Sequence, residues 1–354
     1  MKKTLSFICI FTLLLSTLSI TNSPVRAEKT LVNEALKLNP QQSPSDFAGI
    51  QLSGFSTLEY GDLVCNINVS NRSIDTDYRV PIYVLGKDAK GNVIEVASTF
   101  ITIGRSPYKE QVLSNGTTIK VLDQDRISTV KDIIVRLKAG FFIKSLETGV
   151  IGRKKDKLLV HSYGIRRDDK QNKIIVTANV KDNLPYPYSK DVAEIKQNGG
   201  VVAVGYDKNG KIVEVQGASD NIPNGYVKTF ELTFLAGSLI DNVKVSVTGN
   251  SDTSFVNIFG NRVEKGKNII TGNIENNPYS QYVQVVAKGY SNGKVVEVDG
   301  KTIPVERNAN ANYRFEMDQN NNIDKVEVIA RQQPDIVGNA EVVAYSTHTE
   351  NNKI

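Results

Sequence analysis

The sequence predicts an all-β protein in which three tandem antiparallel β-sandwiches follow a signal peptide. Two observations carry this prediction: one hairpin pattern occurs three times, and most apolar runs alternate apolar with polar residues, as strands with one buried face do. The chain has 354 residues, of which 40% are hydrophobic and 23% charged, so it can bury several cores. A helical pattern is convincing only from Leu31 to Leu38, where Asn39-Pro40 would end it.

The N-terminus has the three parts of a secretory signal peptide. Lys2 and Lys3 give a basic start, an apolar run extends from Leu5 to Ile20, and Val25 and Ala27 place small residues before a cleavage point. We expect cleavage after Ala27. An uncleaved anchor is the alternative, although the apolar run is short for a bilayer. No later segment approaches the length of a membrane span, so no transmembrane anchor is expected after cleavage.

Cleavage changes the charge and the thiol content. Residues 1–27 contain three of the 43 basic side chains and none of the 38 acidic ones, so the mature chain has a net charge of only +2. This charge predicts no nucleic-acid partner. Cys9 leaves with the signal peptide, so Cys65 can form no internal disulfide. We expect Cys65 to be a buried strand residue, with pairing between chains as the alternative. The disulfide-free, Lys- and Asn-rich composition suggests a Gram-positive bacterium.

A strand, a tight glycine turn and a second strand form the repeated unit. The three copies align through the turn and the following strand: Gly86 to Val96, Gly205 to Val215, and Gly289 to Val298. Asp-Lys-Asn-Gly and Ser-Asn-Gly supply the positive-φ positions that a short hairpin needs. Further matching strands lie upstream and downstream of each copy. Because a lone hairpin cannot bury its apolar face, a sandwich is the expected closed arrangement.

The repeats divide the chain into segments. We predict a signal peptide at 1–27, a linker with a short helix at 28–46, sandwiches at 47–150, 151–250 and 251–349, and a tail at 350–354. Three further strand-like runs each follow a repeat: Leu158 to Gly164, Phe255 to Gly260, and Glu341 to Tyr345. Each run could open the next sandwich or close the previous one, and the sequence leaves both alternatives open.

The second and third copies resemble the FxLYD family of small bacterial extracellular β-sandwich modules, and immunoglobulin-like modules more broadly. The resemblance lies in an Asn-rich turn, a strand that ends near Tyr206-Asp207, the Asp207 to Lys211 hairpin and a later Phe230 to Leu232 strand. It implies three tandem Ig-like antiparallel sandwiches. It also implies an envelope or secreted binding and spacer module without catalytic residues.

Residue types that carry chemistry are scarce. The only histidines are His161, inside a predicted strand, and His348, in the polar tail, so we predict no Ser-His-acid triad, no zinc site and no cofactor. Asp207-Lys208-Asn209-Gly210 is similar to the start of a calcium loop. Lys208 and Lys211 interrupt its acidic pattern, and we interpret it as a turn. We therefore predict no enzyme, no catalytic residue and no metal site.

Carboxylates recur at one position of the repeat, as Glu95, Glu214 and Glu297. A residue present in every copy is more typical of a solvent-facing strand position than of a glycosidase active site. We therefore predict that these three side chains face solvent.

Two tyrosine loops are the best candidate binding surface. They occupy the same connection in copies two and three, and proline stiffens both. We predict that Tyr186, Tyr188 and Tyr279 form a platform for sugar or peptide. The alternative is that the rings cap the sandwich cores, as Tyr78 would in copy one. The run from Arg153 to Lys157 is predicted to be a solvated linker, or alternatively a contact for anionic wall polymers.

These observations favour a secreted, non-enzymatic binding, adhesion or structural module, loosely associated with a bacterial cell envelope. Its partner would be a cell-wall polymer, a protein or a carbohydrate. Two alternatives remain at this point: a carbohydrate-binding spacer, and a β-rich secreted enzyme or toxin component whose site is built from carboxylates and tyrosine.

Overall fold

Strands make up most of the described residues, as predicted. The computed structural model describes residues 36–123, 130–152, 158–182, 196–223, 225–248, 256–275, 281–306 and 309–332, and no α-helix lies within these ranges. The all-β prediction is confirmed. The predicted signal peptide lies outside the described residues, and the predicted domain limits remain predictions.

The described strands form three sheet pairs, which we call modules 1, 2 and 3. Module 1 contains β1 (Leu38–Pro40), β2 (Ile50–Glu59), β3 (Asp62–Asn71), β4 (Tyr78–Lys87), β5 (Val93–Ile103), β6 (Tyr108–Val112), β7 (Thr118–Leu122), β8 (Val130–Leu137) and β9 (Ser145–Val150). Its sheets have the orders β2-β3-β8 and β1-β9-β4-β5, and β6 and β7 form a separate hairpin. All pairs are antiparallel except β1 with β9.

Modules 2 and 3 repeat one arrangement. Module 2 contains β10 (Leu158–Asp168), β11 (Lys173–Asp182), β12 (Lys196–Tyr206), β13 (Ile212–Pro223), β14 (Val227–Phe234) and β15 (Asn242–Thr248). Module 3 contains β16 (Val256–Glu264), β17 (Lys267–Glu275), β18 (Gln281–Ser291), β19 (Lys294–Val305), β20 (Ala311–Asp318) and β21 (Lys325–Gln332). The sheets are β10-β11-β14 with β13-β12-β15, and β16-β17-β20 with β19-β18-β21.

Each sheet pair encloses a hydrophobic core of its own. Ile67, Ile82 and Leu137 are fully buried in module 1, Phe234 in module 2 and Phe315 in module 3. Cys65 belongs to the first core and has no exposed surface, so the prediction of a buried strand residue is confirmed. Burial raises the pKa of its thiol to about 12, because a thiolate is poorly solvated there.

The strand-like runs that follow a repeat open the next module. β10 pairs with β11 and β16 pairs with β17, both antiparallel, and both partners belong to the later module. This resolves the alternative for the runs that begin at Leu158 and Phe255. The third run, Glu341 to Tyr345, lies outside the described residues.

The repeated hairpins form as predicted. Gly91 and Gly210 adopt φ values of 85° and 80° in the turns between β4 and β5 and between β12 and β13. The carboxylate of Asp207 accepts the backbone N–H groups of Asn209 and Lys211, both at 2.9 Å. Asp88 does the same in module 1. The aspartates are therefore occupied in shaping turns, as the turn interpretation requires.

The predicted helix is wrong in its described part. Leu38 begins β1, which pairs with β9, and Lys37 forms a single bridge with Phe55. Residues 31–35 lie outside the described ranges. The edge strand β9 offers unpaired backbone groups, and pairing with them outweighs a short amphipathic pattern with few intrahelical bonds.

Candidate functional site at the module junctions

The binding residues that the sequence predicts lie in parts of the chain that the structure does not describe. Tyr186, Tyr188 and Tyr279 lie outside the described residues, as do Arg153 to Lys157 and His348, so their roles stay predictions. His161 lies in β10, as predicted, and its ring packs against that of Tyr83 with centroids 4.7 Å apart. This contact joins module 2 to module 1 and forms part of the junction between them.

The repeated glutamates are buried at two of the three positions, so the solvent-facing prediction was wrong. Glu95 is 6% exposed and Glu214 is fully buried. Glu95 accepts the backbone N–H groups of Lys138 at 2.8 Å and Ala139 at 2.6 Å. Glu214 accepts those of Leu235 and Ala236, each at 3.1 Å.

These carboxylates act as a clasp between the two sheets of a module, because they satisfy N–H groups just beyond the end of the opposite sheet's β8 or β14. Burial raises the pKa of Glu95, while the two N–H donors and the charge of Arg166 act in the other direction. In module 3, Glu297 accepts the backbone N–H of Asp318 at 3.0 Å and remains half-exposed.

The junction between modules 1 and 2 is built on the outer face of β4 and β5. The backbone N–H of Val96 points out of the sheet and donates to Thr177 Oγ1 at 2.8 Å. Tyr83, Leu85 and Val96 form a buried apolar cluster with Ile151 of the linker and Val227 of module 2. β5 is therefore covered on both faces. The alternation of apolar and polar residues along β5 does not show which of its side chains are exposed.

The junction between modules 2 and 3 repeats this arrangement. The backbone N–H of Val215 donates to Thr271 Oγ1 at 3.1 Å, and outer-face valines such as Val202 pack near Ile258 of module 3. Arg262 Nη1 lies 3.3 Å from Glu214 Oε2, and the two side chains are 3% and 0% exposed. A buried ion pair thus joins the clasp of module 2 to the opening strand of module 3.

Glycine allows the close approach at both junctions. A Cβ on Gly164 would lie 2.5 Å from the backbone nitrogen of Glu95, and one on Gly260 would lie 2.8 Å from the backbone carbon of Val213. Neither position has a left-handed φ, so glycine is needed there for space. The sequence contains the signal, since Tyr163-Gly164 and Phe259-Gly260 are matching dipeptides.

A buried lysine holds the linker between modules 1 and 2. Lys181, at the end of β11, is 2% exposed, and its ammonium donates to the carbonyls of Ile151 at 2.9 Å and Gly152 at 2.8 Å. When the junction threonines Thr177 and Thr271 are aligned, Glu275 of module 3 takes the position of Lys181. Glu275 is 7% exposed, and none of the described groups hydrogen-bonds its Oε1.

We expect Glu275 to make the stability of the chain depend on pH. Burial raises the pKa of its carboxyl from 4.5 to about 7. Because the folded-state pKa lies above the unfolded one, this stabilising contribution is complete below pH 4.5 and is lost as pH rises through 7. We expect the free energy of unfolding to fall by about 3 kcal/mol between pH 4.5 and pH 8 through this group.

Urea denaturation at a series of pH values measures the effect of Glu275. Glu275→Gln should flatten the profile in this window and be more stable than the native chain at pH 8. Glu110→Gln, at an exposed position of β6, should leave the profile unchanged. Equal slopes in the native chain and in Glu275→Gln would contradict the prediction.

A second feature missed by sequence reasoning is an exposed aromatic patch, formed by Tyr60, Phe141 and Phe142. Tyr60 is fully exposed, and the two phenylalanines are 55% and 61% exposed. The ring of Phe141 lies against Gly61, where a Cβ would come within 2.8 Å of it. Two adjacent phenylalanines after Ala139-Gly140 were the signal available in the sequence. Exposed aromatic side chains of this kind are typical of contact surfaces.

Polar clefts flank both junctions. One, of about 470 Å³, is lined by Asn198, Asp220, Glu306 and Asn310 between modules 2 and 3. The other, of about 400 Å³, includes Glu95, Lys138 and Glu231 between modules 1 and 2.

Within the described ranges, no group of three or more His, Cys, Asp or Glu residues is placed to hold a metal ion.

No helix in the described part of the chain has the length and apolar character to cross a membrane. Comparison of the chain with protein-family models and with curated proteins gives no match.

Proposed function

We propose that this chain is a secreted, non-enzymatic structural module of a bacterial cell surface, a stiff stalk that also carries a contact surface. The observation that carries the proposal is that both junctions use one set of contacts. In each, a threonine hydroxyl accepts an edge-strand N–H, a glycine permits close approach, and an apolar cluster is buried.

Contacts of this kind favour a fixed orientation. Neighbouring domains move relative to each other by default unless their interface is extensive and apolar. Here hydrogen bonds to the backbone add direction to the apolar contact, and the described residues belong to one compact unit. A spacer that holds a surface at a set distance needs this property, and the resemblance to tandem FxLYD modules implies the same role.

The contact surface of the stalk would be aromatic. Tyr60, Phe141 and Phe142 are exposed in module 1, and the loops with Tyr186, Tyr188 and Tyr279 would add to it in modules 2 and 3. A cell-wall polymer, a protein or a carbohydrate remains the proposed class of partner.

Small-angle X-ray scattering of residues 28–354 tests the stiffness of the junctions. The double variant Gly164→Ala/Gly260→Ala adds only two methyl groups, each against the backbone of the preceding module, and should make the modules move independently. The matched control is Gly104→Ala/Gly300→Ala, because a Cβ there meets nothing closer than 3.8 Å and 3.6 Å, respectively.

We expect the native chain and the control to scatter as one rigid particle, and the junction variant to scatter as a flexible chain of particles. The proposal would be overturned by a native chain that is already flexible, or by a junction variant indistinguishable from the control.

A further inference from the structure

The cleft between modules 2 and 3 lies where aromatic rings fill the first junction. Phe100 of module 1 stacks on Tyr226 of module 2, with ring centroids 3.8 Å apart and ring planes at 17°. Phe100 pairs with Pro81, and Ser219 pairs with Gly200. Both partners precede the glycine that begins the repeated unit by the same number of residues, so Ser219 takes the position of Phe100 in the second junction.

The second ring of the stack also has an equivalent in module 3. The junction threonines pair with Glu231 in module 2 and with Arg314 in module 3. Tyr226 and Ala309 lie equally far before these two residues, so Ala309 takes the position of Tyr226. A serine and an alanine thus replace two stacked rings, and both line the cleft of about 470 Å³.

The lining of this cleft has a buried floor and a polar rim. The floor consists of Val305, Ala309 and Asn310, which are at most 8% exposed. Asn310 is held in place, because its Nδ2 donates to the carbonyl of Ala218 and to Thr248 Oγ1, both at 3.0 Å. The rim consists of four amide and carboxylate side chains from both modules: Asn198, Asp220, Asn221 and Glu306.

The chemistry of the rim suits hydroxyl groups. A carboxylate accepts several hydroxyl hydrogens, and an amide both donates and accepts, so such a set can bind adjacent hydroxyls of one ring. The carboxylates of Asp220 and Glu306 repel phosphate and sulfate. Asn198 Nδ2 donates to Glu306 Oε2 at 3.4 Å, so the rim is continuous between the modules. Pro304 and Val305 add apolar surface for the C–H groups of a ligand.

We propose that this cleft binds a neutral saccharide, with a sugar ring in the place that aromatic rings occupy at the first junction. The sugar hydroxyls hydrogen-bond to Asp220, Asn221 and Glu306, and the ring lies against Ala309. This inference deepens the proposed function, since a carbohydrate is one of its partner classes. It rests on the fixed junction of that proposal, because both modules line the cleft.

Titration of residues 28–354 with four neutral tetrasaccharides tests the proposal, followed by the backbone amide NMR signals of Val305 and Glu306. The sugars are chitotetraose, cellotetraose, maltotetraose and mannotetraose. At least one of them should shift both signals and reach saturation. Ser219→Phe/Ala309→Tyr restores the ring pair of the first junction, so it should fill the cleft and abolish this response.

A milder variant keeps the test decisive where the filled cleft disturbs folding. Asn221→Ala removes one exposed amide of the rim and should weaken sugar binding by about 3- to 10-fold, the effect of one lost hydrogen bond. Asn320→Ala is the matched control, because Asn320 is exposed beyond β20 and does not line the cleft. It should leave the affinity unchanged.

The saccharide site would be overturned if none of the four sugars gave a saturable shift in the native chain. Equal affinities of the native chain and Asn221→Ala would also overturn it. Small-angle scattering keeps this result apart from the stalk proposal. A native chain that scatters as one rigid particle but binds no sugar overturns the saccharide site alone, whereas a flexible native chain overturns the stalk.

Discussion

Glu214→Ala is expected to lower the free energy of unfolding by about 3 to 5 kcal/mol, the range for removing one partner of a buried ion pair. The fully buried carboxylate accepts the N–H groups of Leu235 and Ala236 and lies 3.3 Å from Arg262 Nη1. The substitution leaves two backbone donors without their acceptor and removes the fully buried carboxylate that lies beside the guanidinium of Arg262. Chemical denaturation followed by circular dichroism measures the loss.

Two further variants separate the contribution of the clasp's backbone hydrogen bonds to the free energy of unfolding from that of the ion pair. Glu95→Ala removes a clasp of the same form in module 1, where the charge of the partly exposed Arg166 also acts on the carboxylate. The difference between the two losses therefore reports how much more the buried Arg262 pair contributes. Glu214→Ala/Arg262→Met removes both charges and should recover part of the loss, because no unpaired buried charge remains. Glu110→Ala, on exposed β6, is the control. A loss for Glu214→Ala no larger than for this control would contradict the assigned role.

Lys181→Met is expected to loosen the first junction and to cost about 2 to 3 kcal/mol. Two charge-assisted hydrogen bonds to Ile151 and Gly152 are lost, each worth roughly 1.5 to 3 kcal/mol. Part of this loss is offset, because a buried ammonium no longer has to be desolvated. Methionine fills similar space, so the effect reports the hydrogen bonds more than packing.

Limited proteolysis with trypsin locates the effect of Lys181→Met. The linker that follows Gly152 contains Arg153, Lys154, Lys155 and Lys157, so a loosened junction should be cut there several-fold faster than in the native chain. Lys170→Met, in the exposed turn between β10 and β11, should leave cleavage unchanged. Equal cleavage rates in the two variants would show that Lys181 does not hold the linker.

Local patterns predicted the repeated hairpins and several of the strands around them. The glycine turns at Gly91 and Gly210 depend on residues four or fewer positions apart, and alternation identified β11, β14 and β15. The burial of Cys65 also followed from its immediate neighbours. These features have short-range causes, namely backbone geometry and the two-residue period of a strand.

Most of the candidate site could not be predicted from the sequence, because the residues that contact each other there lie far apart along the chain. Val96 and Thr177 are 81 residues apart, and Val215 and Thr271 are 56 apart. The recurrence of the glutamate in every copy predicted that Glu95 and Glu214 face solvent. Both side chains instead accept N–H groups at the end of the opposite sheet of their own module, and these distant partners leave no local signal in β5 or β13.

Local conformational preference and periodicity were enough to predict from the sequence that the chain is all-β, where its hairpins turn, and that one unit recurs three times. The structure was needed to show that β10 and β16 open the following module, that Leu38 joins a sheet edge, and that Glu95 and Glu214 are buried within their modules. Those outcomes depend on which unpaired edges and buried polar groups meet in space, where one long-range hydrogen bond or ion pair outweighs a weak local propensity.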